Sequence, residues 1–130
     1  MSERGDVVRR LYAAVDRGDV AEAAACFAPD AVWTLPGRGP LAGTHRGVRE
    51  IEQNFFARLG PLSGGNFKAG LLDVAEGERY VVAVQHATAS HGGRTLDVIG
   101  CQLITVEDGR ITEVRGHYSD QYALDEFWSQ

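Results

Sequence analysis

The sequence has few of the residue patterns that mark whole classes of protein. Cysteine occurs twice in 130 residues, at Cys26 and Cys101, and neither belongs to a CxxC motif. So few cysteines exclude a disulfide framework, and their spacing matches no zinc motif. We expect both thiols to be reduced and buried as small apolar residues.

Long apolar runs are also missing. The first fifteen residues lack the uninterrupted apolar core of a signal peptide, and no stretch approaches the roughly twenty apolar residues of a membrane span. We therefore expect a cytoplasmic protein that does not enter a membrane. Lys68 is the single lysine among many arginines, which is typical of a GC-rich bacterial genome.

Neither a basic block nor a metal-binding motif occurs. The formal net charge is -5, and the arginines are spread along the chain, whereas a protein that binds nucleic acid clusters them on one surface. The 4 histidines form no HxH or HExxH motif. We expect no nucleic-acid partner, no metal and no cofactor.

The first half of the chain carries helical patterns. Apolar residues recur at helical spacing over 7–15, and Gly18 is a natural residue for the left-handed position after that helix. Asp19, with Glu22 three residues on, predicts an aspartate-led capping box for a short second helix. After a strand over 31–35 and a loop rich in glycine and proline, helical spacing resumes over 48–59.

From Phe67 onward the apolar period changes to two, which predicts strands. Four such segments follow one another, over 67–74, 80–90, 95–106 and 111–119. Glycines in two intervening turns favour tight hairpins, so the last three strands should form an antiparallel meander. Helices followed by strands indicate one α+β domain over 1–130, with three helices packed on the concave face of a curved mixed or antiparallel sheet. Such a sheet encloses a cone that is either filled or open as a pocket.

Four segments together resemble a known family: LYAAVDRGDVAEAAACFAPDAVW, PGRGPLAGTHRG, EDGRITEV and the closing DQYALDEFW. In this order they resemble the SnoaL-like branch of the nuclear transport factor 2-like superfamily, whose members include ketosteroid isomerases, limonene-epoxide hydrolases and polyketide cyclases. The resemblance covers nearly the whole chain. It implies a cystatin-like α+β barrel and a homodimer, and fold alone does not supply the chemistry.

The resemblance also locates the positions where relatives carry catalytic groups. The carboxylate of the isomerases falls at Leu35. Their helix-one tyrosine falls at Leu11, with Tyr12 one residue off, and their protonated aspartate falls at about Cys101. The aspartate that cyclases and epoxide hydrolases carry on the last strand falls at Gly116. The resemblance therefore implies that the usual carboxylates are missing.

Four other side chains are catalytic candidates. Asp97 either points into the cone, where burial would raise the pKa of its carboxyl, or lies on the solvent face. His86 either titrates near neutral pH beside a ligand or is hydrogen-bonded in or beside the core. Tyr118 at the end of the last strand is a possible hydroxyl donor to a ligand. Asp120 either reaches the pocket mouth or caps a short C-terminal helix. His45 and His91 are expected to be exposed.

The family's arrangement also predicts which side chains line the cone. The predicted lining is Trp33, Leu35, Phe55, Phe56, Ile99, Cys101, Val114 and Gly116. A ligand of such a wall is a small, largely apolar molecule with one or two polar handles. Three functions stay open: a cofactor-independent isomerase, cyclase or hydrolase that moves protons in the cone, a noncatalytic binding protein, and a structural or interaction protein with a filled cone.

Overall fold

Six strands form one curved sheet in the computed structural model, which describes residues 3–129. The strands are β1 (Phe27–Leu35), β2 (Gly43–Arg46), β3 (Lys68–Glu76), β4 (Val81–His91), β5 (Arg94–Glu107) and β6 (Arg110–Tyr118). Their order across the sheet is β2-β1-β6-β5-β4-β3. The β1 and β6 strands are parallel, and every other neighbouring pair is antiparallel. The predicted mixed sheet and its closing meander are confirmed.

Helices pack against one face of this sheet. They are α1 (Glu3–Asp16), α2 (Val20–Ala25), α3 (Val48–Ile51), α4 (Ala57–Ser63) and α5 (Gln121–Trp128). A π-helical turn, Glu52–Phe56, joins α3 to α4, so the third predicted helix is a longer helical segment over 48–63. Together with the inner face of the sheet these elements enclose one hydrophobic core, as predicted for this α+β fold.

The two predicted helix caps are confirmed. The carboxylate of Asp19 accepts a hydrogen bond from the backbone N–H of Glu22 at 3.0 Å. The carboxylate of Asp120 accepts one from the backbone N–H of Ala123, also at 3.0 Å, and begins α5. Each carboxylate satisfies a backbone donor that the first helical turn leaves without a partner.

The second strand was not predicted, because four residues without an apolar alternation carry no strand signal. Its backbone pairs with β1, where Trp33 lies opposite His45. The expectation that His45 is exposed was wrong: the residue is 7% exposed, and its Nε2 lies 2.8 Å from the carbonyl oxygen of Leu41. Pairing across the sheet turns this side chain inward. His91, in contrast, is exposed as predicted.

Strand parity decides which residues face the core. Along β5 the buried positions are the even-numbered ones from Leu96 to Val106, and the odd-numbered ones point outward. Ile99 is therefore 41% exposed. Cys101 is exposed as well, so the expectation that its thiol is buried was wrong, whereas Cys26 is buried as predicted. Among residues 3–129, no helix is long and apolar enough to cross a membrane.

Candidate functional site

A cavity of about 40 Å³ lies between the helices and the sheet. Its apolar lining is Leu11, Val15, Trp33, Phe55, Phe56, Leu59, Phe67 and Ala69. Three of these rings form a cluster: the Trp33 and Phe55 centroids are 4.7 Å apart, and those of Trp33 and Phe56 are 5.4 Å apart. A smaller void of about 20 Å³ adjoins it beside Leu35 and shares the Phe55 side chain.

Four polar side chains complete the lining, and we call Tyr12, Gln85, Gln102 and Tyr118 the polar wall. They come from α1, β4, β5 and β6 respectively. The Tyr12 hydroxyl donates to Gln85 Oε1. Gln102 Nε2 donates to the Tyr118 hydroxyl oxygen at 3.0 Å and lies 3.5 Å from Gln85 Oε1. The polar wall is thus one hydrogen-bonded chain that spans the sheet and the first helix.

Both phenols of the polar wall are held in their neutral form. Burial raises the pKa of Tyr12, and the neighbouring Tyr118 and Cys101 raise it further. Burial also raises the pKa of Tyr118, against the smaller lowering effect of the hydrogen bond from Gln102. At neutral pH these hydroxyls are hydrogen-bonding groups and carry no charge.

Two buried polar atoms of the cavity lining lack a hydrogen-bond partner among residues 3–129. They are Gln102 Oε1, which can only accept, and Trp33 Nε1, which can only donate. Gln102 is 1% exposed and Trp33 is 6% exposed. Leaving such groups unpaired in a folded protein costs roughly 1–3 kcal/mol each, and both residues line the same cavity.

Two glycines make room for the Tyr118 ring. A Cβ at Gly100 would lie 2.8 Å from two carbons of that ring. A Cβ at Gly116 would lie 3.2 Å from the ring and 3.1 Å from Gln102 Oε1. The absence of both side chains leaves space for the ring, as predicted for Gly116 beside Tyr118.

A larger cleft of about 390 Å³ opens beside the cavity. It runs between the turn that joins α1 to α2 and the helical segment over 56–65, with charged residues such as Asp16 and Arg17 at its rim. Four side chains line both the cleft and the cavity: Val15, Phe56, Leu59 and Phe67. We call this opening the entrance cleft, because these four side chains face both it and the cavity.

The wall between cleft and cavity is carried by an irregular helix. Phe56 ends the π-helical turn, and Pro61 lies inside the following α4. A π turn has one residue more than the α-helical hydrogen-bond pattern allows, and such turns are frequent at functional sites. Proline removes a further backbone donor from the helix. This part of the wall therefore departs from the regular α-helical hydrogen-bond pattern.

Several of the predicted lining residues face the interior. Trp33, Phe55 and Phe56 line the cavity, as does Tyr118, and Leu35 lines the adjoining void. Val114 is fully buried in the core, and Gly116 is buried against Gln102 and the Tyr118 ring.

The other predicted site residues lie elsewhere. Ile99 and Cys101 were wrongly placed in the lining, because Leu96 and Val98 take the inward positions of β5. The same parity puts Asp97 on the outer face, where its Oδ1 lies 2.5 Å from Nε2 of His86.

His86 and Asp97 are 41% and 77% exposed in their side chains, so an interior role for either is wrong. Asp120 is occupied as a helix cap and lines neither the cavity nor the entrance cleft.

Three members of the polar wall were missed. Tyr12 was set aside as one residue away from the family's tyrosine position, yet it faces the cavity together with Leu11. Gln102, next to the predicted Cys101, takes the inward position on the penultimate strand. The alternation along the strands was the available signal. Gln102 shares the inward parity of Val98 on β5, and Gln85 shares that of Ala83 and Ala87 on β4. A glutamine at an inward position is a buried polar group.

The cavity lining offers hydrogen bonding by neutral side chains. Among the described residues that line the cavity there is no carboxylate, histidine or cationic side chain. Residues 3–129 also hold no group of three or more His, Cys, Asp or Glu that could bind a metal ion. The lining can therefore orient and polarise a bound molecule through Tyr, Gln and Trp side chains.

Comparison with known proteins gives one consistent result. The model of the SnoaL-like domain matches residues 8–114. An uncharacterised protein of Mycobacterium tuberculosis is 41% identical in an alignment of 128 positions that covers 95% of each chain. The structure of Bal32a, from a soil-derived mobile gene cassette, is similar with a TM-score of 0.92 and 39% identity over 97% of this chain and 96% of that one.

An NTF2-like protein of Burkholderia thailandensis is similar with a TM-score of 0.87 and 26% identity, over 98% of each chain.

Proposed function

The chain belongs to the SnoaL-like family of the nuclear transport factor 2-like superfamily, and we propose that it binds a small, largely apolar molecule inside its cone. The observation that carries the proposal is the pair of buried, unpartnered atoms, Gln102 Oε1 and Trp33 Nε1, in the lining of an otherwise apolar cavity. Ligand sites combine an apolar wall with a few convergent polar groups in this way.

The size of the cavity determines how a ligand enters. About 40 Å³ holds roughly three water molecules, far less than the roughly 300–1,000 Å³ of ligand sites. The entrance cleft, at about 390 Å³, falls within that range. A ligand therefore binds first in the entrance cleft and reaches the polar wall by displacing the side chains of Phe56 and Leu59.

Binding without turnover is the function that the lining favours. General acid–base catalysis needs a titratable group near the ligand, and the described lining of the cavity offers only phenols with raised pKa. Proton-transfer chemistry, as in isomerisation, cyclisation or hydration, is the second candidate. It is favoured by Tyr118, whose hydroxyl accepts from Gln102 Nε2 and keeps its own proton to stabilise charge that develops on a ligand oxygen.

A second copy of the chain is the proposed partner of the outer sheet face. Cross-strand pairs bring together an apolar patch, formed by Val82, Val84, Ile99, Cys101 and Leu103. The Arg115–Glu113 ion pair at 3.0 Å and the His86–Asp97 pair lie on the same face, so its rim carries both signs of charge. A patch with both signs can match its own copy across a two-fold axis.

The free thiols support a cytoplasmic location. Neither Cys26 nor Cys101 is in a disulfide, and Cys101 is exposed. An exposed free thiol is better preserved in a reducing compartment than in a secretory one.

A titration with p-cresol tests the binding proposal, with ligand-observed NMR as the measurement. We expect binding to the wild-type protein and at least tenfold weaker binding to Ala57→Trp, because Ala57 is exposed and lines the entrance cleft. Ala13→Trp is the matched control, since Ala13 is an exposed helical alanine outside both linings. Absence of binding of both p-cresol and toluene at millimolar concentration would refute the proposed function, and equal p-cresol binding by all three proteins would refute entry through the cleft.

A further inference from the structure

The hydrogen-bonding needs of the cavity identify the chemical class of its ligand. We infer that the ligand is a neutral hydroxylated aromatic molecule whose hydroxyl group donates a hydrogen bond to Gln102 Oε1. The inference rests on the proposed function and deepens it, because it specifies the ligand's charge, its shape and the polarity of its handle.

The polar group of the ligand must be able to donate a hydrogen bond. Gln85 Oε1 accepts from the Tyr12 hydroxyl and faces Gln102 Nε2 at 3.5 Å. A carboxamide oxygen can only accept, so this arrangement turns the nitrogen of Gln102 toward Gln85 and Tyr118. The oxygen of Gln102 is left on the opposite side, buried and without a partner among residues 3–129. A ligand hydroxyl supplies the missing donor, and a ketone does not.

The same polar group, or a second atom of the ligand, must also accept a hydrogen bond. Trp33 Nε1 is an indole donor that is buried without a partner among the described residues. A hydroxyl group has both a proton to give and lone pairs to receive one, so a single functional group offers both kinds of hydrogen bond that the lining lacks. A purely apolar molecule offers neither.

The ligand must be uncharged where it meets the polar wall. No described residue of the cavity lining carries a charge, and both phenols stay protonated at neutral pH. An ionised carboxylate or ammonium brought into such a site would lose its hydration without gaining a counter-charge. Charged groups are accommodated only at the rim of the entrance cleft, where Asp16 and Arg17 lie.

The shape of the opposite wall favours a flat ring. Phe55 and Phe56 lie with ring centroids 5.2 Å apart, and both approach Trp33. Rings in such clusters prefer tilted or edge-to-face contacts, which an inserted aromatic ring can continue. Because Phe55 and Phe56 both belong to the π-helical turn, the wall that must move for a ring is the irregular part of the helix.

Four probes of similar size test separately whether the ligand must donate a hydrogen bond and whether it must be neutral. They are p-cresol, toluene, 4-methylacetophenone and 4-methylbenzoate. Their dissociation constants are measured at pH 7 by calorimetry or ligand-observed NMR. We expect p-cresol to bind at least tenfold more tightly than toluene or the ketone, and 4-methylbenzoate to bind more weakly than any neutral probe. Tenfold corresponds to about 1.4 kcal/mol at 25 °C.

The variant Gln102→Leu replaces the proposed acceptor by an apolar side chain of comparable bulk, and p-cresol should then bind no better than toluene. Gln121→Leu is the matched control, because Gln121 is a half-buried glutamine outside the cavity lining, and it should keep the wild-type preference. If Gln102→Leu does not fold, the order of the four probes on the wild-type protein still decides the matter.

The outcomes separate the two proposals. If toluene or the ketone binds as tightly as p-cresol, or if 4-methylbenzoate binds best, the inference about the ligand class is wrong while the proposed binding function stands. If none of the four probes binds at millimolar concentration, the proposed function fails and the inference fails with it.

Discussion

The ring of Tyr118 lies against the backbone of Gly100, where a Cβ would come within 2.8 Å of two ring carbons. Contacts this short are not tolerated, so Gly100→Ala must displace the ring or the strand. The hydrogen bond from Gln102 to Tyr118, at 3.0 Å, depends on the position of that ring.

We therefore predict that Gly100→Ala lowers the free energy of unfolding by about 1–3 kcal/mol, measured by urea denaturation. Gly70→Ala is the control: it also lies within a strand, but its Cβ would meet only a carbonyl oxygen at 3.8 Å, an ordinary contact. A loss for Gly70→Ala as large as that for Gly100→Ala would show that the Tyr118 contact is not the cause.

Removing one hydroxyl from the polar wall should be costly. Tyr12→Phe deletes the donor to Gln85 Oε1 in a buried site, and a broken buried hydrogen bond costs roughly 1–2 kcal/mol. Urea denaturation of Tyr12→Phe checks this value. Tyr122→Phe removes a hydroxyl from a residue that is 88% exposed, so we expect a change below about 0.5 kcal/mol. Equal stabilities for the two variants would contradict the polar wall as described.

Stability should fall at alkaline pH because of the same phenol. Burial raises the pKa of Tyr12 above its ordinary value of 10.0, so above pH 10.0 the unfolded chain releases this proton while the folded protein retains it. The stabilising contribution is thus complete below the unfolded pKa and is lost as pH rises toward the folded pKa.

Each such phenol lowers the free energy of unfolding by up to about 1.4 kcal/mol per pH unit in that range. Denaturant titrations between pH 9 and 11, approximate bounds set by the ordinary tyrosine pKa, should show a steeper loss for the wild type than for Tyr12→Phe. Parallel curves for the two proteins would mean that Tyr12 ionises as readily when folded.

The outer apolar patch should hold two copies together. Ile99 is 41% exposed within it, and placing a lysine there puts an unpaired charge at the centre of the proposed interface. We predict that the wild type is a dimer and that Ile99→Lys is a monomer with unchanged secondary structure, as measured by light scattering after size exclusion and by circular dichroism.

Leu72→Lys provides the control for the dimer, because Leu72 is an exposed leucine, 59% accessible, on the edge strand β3. It should remain dimeric. A monomeric wild type, or a dimer that survives Ile99→Lys, would exclude this face as the interface.

Local patterns predicted the fold well. Capping by Asp19 and Asp120 depends on residues three apart, and strand alternation depends on residues two apart, so both can be read from short segments. The strand over 43–46 was not predicted, because it is short and depends on pairing with β1 rather than on an apolar alternation of its own. Whether a cavity remains in the cone depends on how Phe55 and Phe56 pack, which no local pattern encodes.

The candidate site was predicted less well, because an error of one residue reverses the face of a strand. On β5 the prediction chose Cys101 in place of Gln102, and this one-residue shift moved the predicted lining residue from the inner to the outer face of the sheet. Tyr12 was missed in a related way, since a helix turns Leu11 and Tyr12 both toward the core. Tyr118 was identified correctly, because its parity with Val114 and Gly116 could be counted from the nearby hairpin turn.

The central claim is that a small molecule binds at the polar wall inside the cone. Proton–nitrogen correlation spectra recorded during a p-cresol titration test it most directly, with the Trp33 indole signal told apart from that of Trp128 by Trp33→Phe. We predict saturable shifts of the Trp33 indole N–H and of the Gln102 side-chain amide, while the backbone amides of His86 and His117 on the outer face stay in place. Shifts confined to the outer face, or no shift at millimolar p-cresol, would contradict the claim.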